Sequence, residues 1–443
     1  MTTTGTAGSV RQRLGVRITG PAEPLLGLAV RQNPRRAQLL VSRLLGKHVP
    51  TDPRLVRAAG LLLGALVADV LADRPPREVP RELLAAAAGG DRAATAALSE
   101  RAVAACRDER QDALVLGFAE TATGLGHCVA EALGGADYLH STRRPVADHP
   151  AVGAFTEDHS HAQDHLLLPA DPALLRGDRP LVLVDDELST GRTALNTIGA
   201  LHRVAPRQRY LMAALVDVRP ADGDLVAGVR ALGARLDVLA LAGGAVQLPA
   251  DLAARAAALR AELARPDPAP GPAPAAVVVP RVALADLGWP RGLAAGGRHG
   301  FLADDHVRLA AVLPGLAAGL GVRGRERTLV LGTEELMALP LRLAQTLADA
   351  GHDVRFSTTS RSPALVVDEP DYALRSGITF PAHDDPVDGP GPRFAYNLGG
   401  PGDPRWDHLL VVVDPPADTP ALRSGLLAAA AGRAHRSTLV VTP

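Results

Sequence analysis

Cysteine is nearly missing from this chain. Cys106 and Cys128 are the two among 443 residues, too few for a disulfide framework and without the spacing of a metal-ligand set. A reducing cytoplasm is the expected setting. Aromatic residues make up only 3%, which argues against a stacking surface for single-stranded nucleic acid. Acids and bases nearly cancel, 48 Asp and Glu against 47 Lys and Arg, with no basic run. No electrostatic footprint for nucleic acid is present. The longest apolar stretch, 58–68, stops at Asp69 and is too short to span a bilayer. The opening Met-Thr-Thr-Thr-Gly-Thr lacks the charged-then-apolar pattern of a signal segment. Neither a membrane nor a nucleic-acid partner is expected.

What is abundant is Ala, Arg, Gly and Pro, and the prolines mark a boundary. Residues 265–276 form a Pro/Ala-rich extended linker. It divides the chain into a part at 1–264, whose first 110 residues or so read as helical, and a part at 277–443. From residue 113 strands and helices alternate: strands at 113–117, near 138–140, at 181–184 and at 210–217, with a helix through Ala132. That alternation predicts an α/β fold with a parallel sheet. The second part echoes the first. Leu114-Val-Leu-Gly-Phe-Ala-Glu120 matches Leu329-Val-Leu-Gly-Thr-Glu334-Glu335, and Ser141-Thr-Arg-Arg-Pro145 matches Ser357-Thr-Thr-Ser-Arg361-Ser-Pro363. Leu410-Val-Val-Val-Asp414 aligns with Leu181-Val-Leu-Val-Asp185. A second, degenerate copy of the sheet is the expectation.

The densest signal is Leu181-Val-Leu-Val-Asp185-Asp186-Glu-Leu-Ser189-Thr190-Gly191-Arg192-Thr193. Four apolar residues suit a parallel strand covered on both faces. Two carboxylates follow at its carboxyl end, where open α/β sheets bind ligands. The Ser-Thr-Gly-Arg-Thr turn leads into an apparent helix, so its amides form an anion-binding concavity. This segment resembles the PRPP loop of type I phosphoribosyltransferases. The resemblance implies that Asp185 and Asp186 take the ribose hydroxyls, while Ser189, Thr190, Gly191, Arg192 and Thr193 wrap the 5′-phosphate. Glu187 departs from the family, which usually has an apolar residue there.

Further segments fit the same resemblance. After the 113–117 strand, Ala119, Glu120, Thr121, Ala122 and Thr123 fall in the loop that holds pyrophosphate in that family. Glu120 is awkward beside a polyanion unless Mg²⁺ or a basic group accompanies it. Arg143 and Arg144 end the next strand as candidates to neutralise the leaving pyrophosphate. Glu157, His159 and His161 lie in a His- and acid-rich stretch that reads first as a lid with acid–base or phosphate contacts, then as an ordinary polar loop, and last as a metal site. Asp217 and Arg219 are candidates for the base side. Residues 31–36 and 46–50 flank a predicted amphipathic helix, and their polar groups read either as a hood over that side or as surface decoration.

Together these motifs are similar to one bacterial group of phosphoribosyltransferases with a C-terminal domain named for a Thr-Arg-Ser-Pro motif. Its genes typically accompany tellurium-resistance and stress-associated biosynthetic genes. Here Ser360-Arg361-Ser362-Pro363 carries Ser in place of the naming Thr. Arg298, His299, Ser360, Arg361 and Ser362 are the expected polar cluster of that second domain, binding another anion or completing the site. The resemblance implies PRPP, Mg²⁺, a nitrogenous base or nucleotide, and a homodimer. A PRPP- or nucleotide-sensing protein without turnover is the alternative.

Overall fold

The computed structural model describes residues 9–33, 37–106, 110–146, 149–155, 165–221, 223–263, 276–383, 391–400 and 402–443. Two five-stranded parallel sheets organise it. In the first the spatial order is Arg235–Gly243, Arg209–Asp217, Leu181–Leu188, Leu114–Gly117 and Asp137–His140. The second runs Arg281–Ala283, Ala434–Val441, Trp406–Val413, Thr328–Gly332 and Val354–Thr358. The α/β expectation is met. Central strands such as 181–184 and 409–413 are apolar throughout because helices and loops cover both faces.

The four strands at 114, 137, 181 and 209 have counterparts at 328, 354, 406 and 434, in the same spatial order. Only the fifth strand differs, preceding its four partners in the second sheet and following them in the first. The duplication read from sequence is therefore repeated in the topology, with one adjustment of register. Val115 pairs with Val182, and its counterpart Val330 pairs with Leu410. Asp414 thus corresponds to Asp186, not Asp185, and Val413 takes the place of the first acid.

The region before residue 110 is not all helix. Leu26–Val30 and Gln38–Ser42 form an antiparallel hairpin where an amphipathic helix was expected after residue 36. Leu39, Leu40 and Val41 are all buried, so no polar face alternates to betray the strand. The helix Pro53–Leu71 does form, with the Asp52 side chain accepting from the Arg54 amide and Pro53 in the first turn. It lies so close to Thr123–Ala132 that a Cβ on Gly64 would come 2.6 Å from Ala132 Cβ. Among the described residues, no helix is long and apolar enough to cross a membrane.

The halves are interlocked. Thr51 forms an antiparallel bridge to Phe356 on the edge strand of the second sheet, and Phe301 forms one to Tyr138 on the edge strand of the first. One apolar core runs through both, including Leu62, Val129, Leu343 and Phe356. Glu131 accepts from Arg57 of one half (2.6 Å) and Arg342 of the other (3.1 Å).

Candidate active site

The Leu181–Leu188 strand continues two residues past the acidic pair, with Asp185 opposite Ala214 and Glu187 opposite Val216. This fixes the carboxylates on rigid backbone. Asp185 Oδ1 also accepts from the Asp186 amide at 2.9 Å. The chain then turns through Ser189, Thr190 and Gly191 into the helix Arg192–Val204. Gly191 adopts φ +80°, and a Cβ there would meet Leu225 Cβ at 3.0 Å, so glycine alone fits the turn without strain. First-turn amides of such a helix have no intrahelical acceptors and point at the space before it.

That space is a cavity of about 520 Å³. Asp185, Asp186, Glu187, Ser189, Thr190, Gly191 and Thr193 line it, with Ala119, Glu120, Thr121 and Arg143. Arg192 is exposed and does not line it. Ala122 and Thr123 are buried at the start of the next helix, where Thr123 O accepts from Tyr138 Oη (2.8 Å). The 119–121 loop is held from beneath: the Ala119 amide donates to Ser141 Oγ at 3.0 Å, and Ser141 Oγ meets His165 Nδ1 at 2.8 Å. His165 Nε2 lies 3.2 Å from Arg143 Nη2.

The second half supplies the remaining wall. Arg361, Ser362, Pro363, Arg393 and Phe394 line the same cavity. Arg361 Nε bonds Glu334 at 2.5 Å and lies 3.3 Å from Glu120. Ser360 stays behind this wall, its Oγ accepting from the Ser362 amide. Glu334 also accepts from Arg393 (2.8 Å) and Arg144 (3.1 Å). Burial raises the pKa of Glu334, but the three guanidinium groups outweigh it and hold this carboxyl far below its ordinary range. Neighbouring Glu335 accepts from Thr142 Oγ1 (2.7 Å), the Arg143 amide (2.9 Å) and Arg298 (3.4 Å). Burial again opposes ionisation, yet Arg298, Arg144 and the amide bring Glu335 down to about 2.

Several expected site residues have other work. Arg144 reaches Glu334 and, at 3.9 Å, Asp414, and is not on the cavity wall, because those carboxylates draw it across the interface. Arg219 is chelated by Asp217 through Nε and Nη2, and neither residue lines the cavity. Arg298 sits on Glu335 and Asp414, while His299 Nδ1 meets Leu168 O at 2.8 Å, so these two lie apart from Arg361 and Ser362. Glu157, His159 and His161 lie outside the described residues. Among the described residues no group of three or more His, Cys, Asp or Glu is arranged to hold a metal ion.

Arg393 and the buried glutamate pair were not among the site residues expected from sequence, and Lys47 entered only as part of the 46–50 hood segment. Lys47 and His48 line the cavity, and Lys47 Nζ donates to Glu120 at 2.8 Å. His48 is buried and kept neutral, first by burial and then by the charge of Lys47. A compositional signal pointed to Lys47: it is the chain's one lysine, all other members of the Lys and Arg total being arginine.

A phosphoribosyl transferase family model matches residues 25–245. A model for the TRSP domain, which lies C-terminal to that phosphoribosyl transferase domain, matches residues 295–430. The chain belongs to this family, with a C-terminal TRSP domain. Among solved structures it is similar to the adenine phosphoribosyl transferase of Trypanosoma brucei (15% identity, 30% of this chain and 56% of that one, TM-score 0.23). It is also similar to the Giardia lamblia enzyme (20%, 34% and 81%, TM-score 0.21) and the orotate phosphoribosyltransferase of Aeropyrum pernix (19%, 34% and 74%, TM-score 0.19). The match spans little more than half of the trypanosome chain. No curated protein matches the sequence.

Proposed function

We propose that this protein exchanges the pyrophosphate of PRPP for a nitrogenous base, or runs that exchange in reverse, in the cytoplasm and within a stress-associated biosynthetic route. The observation that carries the reading is the convergence of an acidic pair and a glycine turn at a helix N-terminus on one cavity. Asp185 and Asp186 accept from the ribose hydroxyls, and the 189–193 turn grips the 5′-phosphate with backbone amides and hydroxyls. Residues 119–121 and Arg143 receive the pyrophosphate. The bond from C1′ to the pyrophosphate oxygen breaks as a bond to the acceptor nitrogen forms, so the protein's contribution is positioning and charge stabilisation. Hard oxygen donors in the cavity suit Mg²⁺, which Asp185 or Asp186 would hold together with ligand oxygens and which would neutralise phosphate charge. Residues 1–264 are taken as the transferase domain and 277–443 as the TRSP domain.

The test is calorimetric titration of the full chain with PRPP and Mg²⁺, then pyrophosphate release across a panel of bases. Asp185→Asn with Asp186→Asn is expected to abolish PRPP binding. Unchanged affinity would move the ligand elsewhere, and tight binding without release from any base would favour a sensor.

A further inference from the structure

The two halves repeat each other residue by residue around the cavity. Val115 pairs with Tyr138 as Val330 pairs with Phe356. Counting on from those pairs, Thr142-Arg143-Arg144-Pro145 corresponds to Ser360-Arg361-Ser362-Pro363, and Glu120 corresponds to Glu335. The backbone agrees: Ser141 Oγ accepts from the Ala119 amide and Thr359 Oγ1 from the Glu334 amide, both at 3.0 Å. Each half also extends an arm to the other's edge strand, through Thr51 and Phe301. Just before those bridges stand Gly46-Lys47-His48 and Gly297-Arg298-His299. Lys47 binds Glu120 as Arg298 binds Glu335.

The repeat makes the difference between the two places informative. In the mirror location Arg298, its side chain 24% exposed, is shared between two carboxylates, Glu335 (2%) and Asp414 (18%). Its charge is absorbed inside the protein. On the cavity wall the same position is a lysine, its side chain 3% exposed, with the single carboxylate Glu120 (9% exposed) as its acceptor. An ammonium has three N–H donors, so two remain for whatever enters the cavity. Everywhere else the chain uses arginine where a cation is needed. A planar fork and a compact ammonium differ in size and geometry, and only this position carries the ammonium.

We propose that Lys47 is a ligand-binding residue that docks the pyrophosphate end of PRPP, and that lysine here against arginine at 298 separates an open site from a shut one. This rests on the reading of the cavity as a PRPP site. Lys47 Nζ keeps one donor on Glu120 and gives the others to phosphate oxygens. Arg361, the counterpart of Arg143, reaches Glu120 from the second half and holds that carboxylate beside the ammonium.

The experiment is calorimetric titration of the full chain with PRPP plus Mg²⁺ and, separately, with ribose 5-phosphate. Lys47→Arg and Lys47→Met are each expected to weaken PRPP about ten- to a hundredfold, the size of a lost charged hydrogen bond. Ribose 5-phosphate, which lacks the pyrophosphate, should bind within about twofold of wild type by the same arithmetic. Lys47→Met with Glu120→Gln, which leaves no buried charge unpaired, guards against misfolding, and its ribose 5-phosphate affinity reports an intact site. One PRPP per chain is expected. PRPP bound by Lys47→Arg as tightly as by wild type would overturn the proposal, as would equal loss of both ligands or two PRPP per chain. The Asp185→Asn, Asp186→Asn variant separates the two readings: it should lose both ligands, and if it keeps PRPP the site itself is misassigned.

Discussion

Replacing Glu335 with Gln tests the electrostatic seam between the halves. Glu335 is 4% exposed and accepts three hydrogen bonds, two of them from Thr142 and Arg143 of the first half. Its ordinary value is 4.5, and in the folded protein it titrates at about 2. A folded value below the unfolded one means that the stabilisation is complete above pH 4.5 and disappears as pH falls towards 2. Converted to free energy, ionised Glu335 contributes about 3 kcal/mol at pH 7 and about 1 kcal/mol at pH 3. Glutamine fills the same space and cannot ionise, so it lacks this contribution at every pH. The assay is denaturant unfolding of wild type and Glu335→Gln at both pH values. Both tryptophans, Trp289 and Trp406, belong to the second half and report on it. The gap between the two proteins should be about 3 kcal/mol at pH 7 and narrow to about 1 kcal/mol at pH 3. A gap that ignores pH, or one below about 1 kcal/mol at neutrality, would refute the assignment of that charge.

Arg361→Gln removes the guanidinium that links Glu334 to Glu120, while Arg144 and Arg393 still neutralise Glu334. PRPP affinity should fall about tenfold, with the fold retained by circular dichroism, and no loss would reduce this arginine to an interface residue. Gly191→Ala forces a side chain into φ +80° against Leu225. Denaturant unfolding should show a loss of about 1–2 kcal/mol, and ribose 5-phosphate binding should weaken because the turn amides shift.

Much of the first sheet was legible in the sequence because its central strands are unbroken apolar runs ending in turn residues. The 181–193 segment carried strand, acids, turn and helix in one reading frame, and the structure keeps that order. The hairpin at 26–42 was not legible, since a strand buried on both sides and a buried helix turn look alike over five residues. Nor were the partners of Arg144, Arg219 and Arg298. An arginine at a strand end advertises a charge, but its acceptor is chosen by folding: Glu334 lies 190 positions beyond Arg144. The shift of Asp414 by one position had a similar cause, for a run of valines aligns equally well in two frames and only ladder pairing selects one. Lys47 was legible by rarity, but its segment read as a hood or as surface decoration, with no acceptor in view, because Glu120 lies 73 positions away.

The exchanged arms carry a consequence for anyone dividing this protein. A fragment ending at residue 263 would keep the acids and the phosphate turn. It would nevertheless lose Phe301, which seals the rim of its own sheet, and would leave Thr51 with nothing to dock on. Bare strand rims recruit other chains, so such a fragment should clump instead of working as a minimal enzyme. The two halves have become tenants of one another, each closing the rim of the other's sheet.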